Sequence, residues 1–108
     1  MKNAFILNAY GRAEKIQGYC SGILNYLEKN NISIEKNQML LFGRALTDLY
    51  IGDILLTPKG NRIKIDGFHL YGNRLDFVST GCTCIIICDA VTEVFTVHTI
   101  LNLFSNLS

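Results

Sequence analysis

The stretch GRALTDLYIGDILLTPKG, residues 43–60, decides the fold. Gly43-Arg44 interrupts one apolar run. Gly52-Asp53 makes a tight lead-in to the next, and Thr57-Pro58-Lys59-Gly60 turns the chain. In that turn proline presets the second position, and glycine takes the positive φ or the bulge. Short apolar runs punctuated in this way are strands at hairpin spacing, and they point to a small β-barrel.

The same pattern continues towards the C-terminus. NRIKIDGF, residues 61–68, alternates, with Arg62, Lys64 and Asp66 on one side and Ile63 and Ile65 on the other. Gly67 interrupts the alternation and marks a bulge. Tyr71-Gly72-Asn73-Arg74 is a hairpin signal in which Gly-Asn suits a two-residue type II′ loop. The chain then returns with Leu75 and Phe77 inward. After the break at Thr80-Gly81, CTCIIIC (82–88) is an apolar strand buried on both faces. In the tail, 92–108, β-branched residues with Phe95, Val97, Leu101 and Leu103 on one parity favour a strand, while Leu101, Phe104 and Leu107 permit a helix.

Towards the N-terminus, NAFILNA (3–9) reads as a strand ended by Gly11. Ile16, Tyr19, Cys20, Ile23, Leu24 and Leu27 then fall at helical spacing, so a helix is expected over about 12–30. The expected fold is therefore α+β and mostly β: a small barrel of five to seven antiparallel strands with one N-terminal helix packed against it. It forms a single domain over 1–108, with the strand and helix in 1–36 and the barrel in 37–104.

Over about residues 39–90 the pattern resembles the second domain of translational GTPases, the β-barrel of elongation factor Tu and its relatives. The residues that carry the resemblance are Gly43-Arg44, Ile51-Gly52-Asp53, Ile65-Asp66-Gly67-Phe68 and Gly81. In that family the barrel contacts the aminoacyl end of tRNA and docks on other domains, a role that is not carried over to this chain. No phosphate-binding GxxxxGK[ST] loop is present, so the resemblance implies no GTPase activity, and no tRNA-contact residue can be matched.

Bulk properties narrow the function. A net charge of +1 gives no strong footprint for duplex nucleic acid and leaves room for a local basic patch. No segment reaches 18 unbroken apolar residues, and the start MKNAFILNAYGR has no leader signature, so a cytoplasmic protein with reduced thiols and no membrane partner is expected. Cys82, Cys84 and Cys88 share a parity, but a C-x-C-x₃-C spacing on a straight strand spreads the outer pair over about 20 Å. They read as small buried hydrophobes, and no metal, cofactor or catalytic residue is expected. His69 and His98 read as surface or structural residues. Asp48, Asp53, Asp66, Asp76 and Asp89 sit at turns and strand ends, where no pair is spaced for acid–base work.

These features point to a non-enzymatic protein-binding module. In size and in its asparagine-, isoleucine- and lysine-rich character the chain resembles the immunity proteins of contact-dependent inhibition systems. That resemblance implies an immunity or antitoxin protein that covers the active site of a bacterial toxin. Tyr50, Arg62, His69, Tyr71 and Arg74 are the expected partner-binding residues, since large rigid side chains at turns make binding anchors. The alternative is a translation-related RNA- or ribosome-binding barrel, with Lys59, Arg62, Lys64 and Arg74 gathered at one end beside His69 and Tyr71.

Overall fold

In the computed structural model, residues 2–12, 15–18, 29–30, 32 and 35–104 are described. Their strands, in chain order, are β1 (Lys2–Arg12), β2 (Lys15–Gly18), β3 (Gln38–Ala45), β4 (Leu49–Tyr50), β5 (Ile54–Leu56), β6 (Arg62–Leu70), β7 (Asn73–Leu75), β8 (Phe77–Val78), β9 (Thr83–Asp89) and β10 (Ile100–Phe104). Six of them close a barrel in which every pairing is antiparallel. The order is β1-β3-β9-β6-β5-β10, and β10 returns to β1. Within it β5, β6 and β9 follow one another and β10 comes back beside β5, which is Greek-key order. Closure removes the open edges that a flat sheet of six strands would leave.

The expected α+β class is overturned. Lys15–Gly18, where the helix was expected to begin, are a strand with Ala9–Arg12 as its partner. The competing force is non-local. β10 pairs only with residues 2–6 of β1, while β1 runs on to Arg12, so its far half has main-chain groups to satisfy on that side. β2 satisfies them. The remaining residues of the expected apolar stripe, Tyr19, Cys20, Ile23, Leu24 and Leu27, lie outside the described residues. β1 is itself one of the barrel's staves.

Alternation sorts side chains between inside and outside. Phe5, Leu7, Met39, Leu41, Leu55, Ile63, Ile65, Phe68, Ile86 and Leu101 fill the interior, and each is at most 1% exposed. Cys84 and Cys88 join them. β9 is buried on both faces, as its unbroken apolar run suggests. Its outward residues Ile85 and Ile87 meet Leu40 and Phe42 of β3 in a second apolar cluster.

Gly43 explains the first interruption in the opening stretch. A Cβ there would stand 2.0 Å from the Ile6 carbonyl oxygen and 2.9 Å from the Phe5 ring, so only glycine lets β1 and β3 approach this closely. The second interruption is a turn. The Asp53 N–H donates to the Tyr50 carbonyl (3.1 Å), the Tyr50 N–H donates to the Asp53 carboxylate (2.9 Å), and Gly52 holds a φ of 91° at the position that requires it. The turn leaves Leu49 in the core and Tyr50 outside. The break at Asp76 has the same effect on its partner strand, where Val78 points in and Phe77 out. Phe77 was expected inward. Instead the Asp76 carbonyl accepts the Ile51 N–H, β7 ends at Leu75, and the change of direction turns the Phe77 ring onto Tyr50.

At the opposite end of β6, the Thr57–Gly60 turn closes with the Gly60 N–H on the Thr57 carbonyl (2.9 Å). The buried Glu93 carboxylate accepts from the Thr57 hydroxyl and from Asn61 Nδ2 (2.8 Å), tying the segment before β10 to this turn. β10 settles the tail over Ile100–Phe104 as a strand.

Candidate partner-binding site

The β6–β7 hairpin presents the site. Leu70 pairs with Asn73, so the two loop residues are Tyr71 and Gly72, with φ of 50° and 78°. Two positive φ angles make a type I′ turn. The expected loop, Gly72-Asn73 in type II′, is one residue too late. The observed register sets Leu75 opposite the fully buried Phe68 rather than the half-buried Leu70, and deeper burial favours it. The consequence falls on Tyr71, a bulky residue in left-handed backbone with 89% of its surface exposed. Such a conformation costs an ordinary residue about 1–2 kcal/mol. Nothing in Tyr71's own burial offsets that.

Beside Tyr71 the outer face of the barrel holds a cleft of about 250 Å³, lined by Phe42, His69, Leu70, Tyr71, Thr83, Cys84 and Ile85. Strand register builds it. Phe42 pairs with Ile85, Ile85 with His69, and His69 with Arg74, giving one row across β3, β9, β6 and β7. Arg44 and Thr83 pair in the next row. The bulge between Ile65 and Gly67 brings the bare backbone of Gly67 under Arg74, whose guanidinium donates to the Asp66 carbonyl (3.3 Å). A Cβ at Gly67 would stand 2.7 Å from that guanidinium. Gln38 donates to the Asp66 carboxylate (3.2 Å).

His69 is half-buried, and its Nδ1 has no hydrogen-bond partner. Burial, then the nearby Arg74 charge, lowers its pKa from 6.5. The imidazole is thus neutral at physiological pH. The Cys84 and Cys88 thiols are unsuited to nucleophilic work. Burial pushes Cys84 up to about 12, with Cys82 adding to the shift, and raises Cys88 as well. His98, the other imidazole, is exposed at a φ of 71° and donates its main-chain N–H to the Leu7 carbonyl (2.6 Å). Among the described residues, no three His, Cys, Asp or Glu side chains converge as a metal site would. Nor is any helix among them long and apolar enough to cross a membrane.

Of the five residues expected to bind a partner, the structure gathers His69, Tyr71 and Arg74. Tyr50 lies on the β4–β8 ribbon, stacked on Phe77 with ring centroids 5.3 Å apart. Arg62 starts β6 and lies over the Phe104 ring at 4.2 Å. The eight strand steps of β6 from Arg62 to Leu70 put the Thr57–Gly60 turn and the Tyr71–Gly72 turn about 26 Å apart. Lys59 and Arg62 therefore do not share an end with Arg74, and Lys64 lies between them along β6, so the four do not gather at one end as expected. Sequence reasoning missed Phe42, Arg44, Thr83 and Ile85. The available signal was that MLLF in β3 is apolar on both parities, as CIIIC in β9 is.

Compared with known proteins, the chain matches no protein family, no curated protein and no solved structure.

Proposed function

We propose that this protein is a non-enzymatic protein-binding module, acting in the cytoplasm as an immunity or antitoxin protein that covers the active site of a cognate bacterial toxin. The observation that carries the reading is Tyr71, an 89% exposed aromatic held in strained backbone at the rim of an apolar cleft. Strain kept at an exposed position is a mark of function. A rigidly presented tyrosine beside an arginine is the usual composition of a binding hot spot. Such a complex buries on the order of 1,600 Å² in total, and Tyr71, His69 and Arg74 are its centre.

A translation-related RNA module has one supporting observation, the closed antiparallel barrel itself. It loses its electrostatic support, because the basic turns lie at opposite ends of β6.

The test is co-expression with the product of the adjacent reading frame, which this reading expects to be a toxin. Growth rescue and a stable complex are expected. Tyr71→Ala with Arg74→Ala should weaken the complex by more than about 2 kcal/mol without altering the circular dichroism spectrum. Toxicity unrelieved by a folded, well-expressed wild-type chain defeats the immunity reading.

A further inference from the structure

The cleft beside Tyr71 has a specific shape and charge. Its volume of about 250 Å³ lies below the roughly 300–1,000 Å³ of pockets that enclose small-molecule ligands. It is open to one large side chain. Its floor and walls are apolar, from Phe42, Leu70 and Ile85 with the Tyr71 ring at the rim. His69 adds a neutral imidazole whose buried Nδ1 makes charging the ring unfavourable.

Two arginines flank the cleft. Arg44 is exposed, one strand step beyond Gly43, and pairs with the lining residue Thr83. Arg74 pairs with the lining residue His69 on the other side. Three strand spacings and two residue steps put their Cα atoms about 15–16 Å apart, and the Arg44 guanidinium lies by Gly81 and that of Arg74 over Gly67, at either end of the cleft. Among the described residues neither forms an ion pair. Arg74 reaches a main-chain carbonyl, and the nearby Asp66 carboxylate is already engaged by Gln38. An apolar seat between two guanidiniums that form no ion pair among the described residues is complementary to an apolar side chain set among carboxylates.

We propose that this cleft seats one large apolar side chain, such as phenylalanine, presented by the protein partner on an acidic surface whose carboxylates meet Arg44 and Arg74. This rests on the protein-binding reading above and names the chemistry of the partner at its centre. It does not depend on the partner being a toxin.

The test titrates the full chain with short blocked peptides and follows amide and side-chain signals by NMR. The probe is acetyl-Asp-Glu-Phe-Glu-Asp-amide. Controls are the same peptide with alanine in place of phenylalanine, a Lys-Arg-Phe-Arg-Lys peptide, and oligouridylate. Saturable shifts centred on Phe42, His69, Tyr71 and Ile85 are expected with the acidic phenylalanine peptide. Binding should be at least tenfold weaker with the alanine peptide, with the basic peptide and at high salt. Thr83→Trp, a surface change that fills the cleft, should abolish the shifts, and Arg44→Glu with Arg74→Glu should weaken them at least tenfold. The proposal is overturned if the acidic peptide leaves these signals unmoved, if the basic peptide binds equally well, or if oligouridylate moves them more tightly. Growth rescue and peptide titration can fail separately: the first decides the immunity reading, the second decides the cleft.

Discussion

Replacing Tyr71 by asparagine should make the protein more stable and less able to bind. In a type I′ turn both loop residues hold positive φ, and Asn-Gly is the preferred pair. Tyr71 sits at the first loop position with a φ of 50°, and Gly72 already occupies the second at 78°. Relief of left-handed strain is worth about 1–2 kcal/mol for a residue at ease there, and asparagine recovers most of it. Against this stands the lost burial. Tyr71 is 89% exposed, so only about a tenth of a tyrosine's surface, roughly 20 Å², leaves contact with the protein. At about 25 cal/mol per Å² that is roughly 0.5 kcal/mol. The net expectation is a gain of about 0.5–1 kcal/mol, a rise of roughly 2–8 °C in the midpoint of thermal unfolding. Calorimetry or circular dichroism reads the midpoint, and the peptide titration reads binding on the same sample. A lower midpoint would show that the Tyr71 ring supports the hairpin through contacts, and the functional account of its strain would then fail. A higher midpoint with undiminished binding would place the partner elsewhere.

Gly43→Ala should cost at least about 3 kcal/mol in urea unfolding, the severe end of overpacking, because its Cβ would stand 2.0 Å from the Ile6 carbonyl oxygen; an unchanged midpoint would refute the close β1–β3 approach. The Asp48 carboxylate accepts from the Thr80 N–H (2.8 Å) and hydroxyl (2.9 Å), and these bonds, main-chain first, lower its pKa from 3.8. Because the folded-state pKa is depressed, its stabilisation is present above 3.8 and is lost as pH falls through the lower folded value. Asp48→Asn should therefore lower the midpoint at neutral pH, with a gap to wild type that closes in acid, and a gap independent of pH would contradict the tie between Asp48 and Thr80. Cys84 and Cys88, buried and with their thiol pKa values raised, should resist iodoacetamide at pH 8 until the protein is unfolded, as mass spectrometry of the labelled sites would show. Rapid modification of either in the native protein would mean that β9 opens readily.

What was legible in the sequence was local. The Thr57–Gly60 turn, the alternation of β6, the bulge at Gly67 and the double-sided burial of β9 follow from residues within a few positions of one another. The expected start of the N-terminal helix failed for the complementary reason. Ile16 and its neighbours fit a helical period, but the free length of β1 beyond its pairing with β10 exists only once the barrel has closed. The hairpin loop failed by one residue because its register is decided by Phe68, a core residue, and not by the turn itself. The site divides in the same way. His69, Tyr71 and Arg74 are neighbours in sequence and were found together. Phe42, Thr83 and Ile85 reach them across tens of residues, through the pairing of β9 with both β3 and β6. That central place of β9 also explains why the cleft lies where it does. A stave buried on both faces offers no polar exterior of its own, so Ile85 needs apolar cover from Phe42 and Leu40. The cover thins towards Thr83, which is exposed, and the cleft lies between His69 and Thr83. The tip of the β6–β7 hairpin stands at the rim of that cleft. Tyr71 is the residue at that tip, which is why one strained backbone angle links the stability of the hairpin to its proposed recognition of a partner.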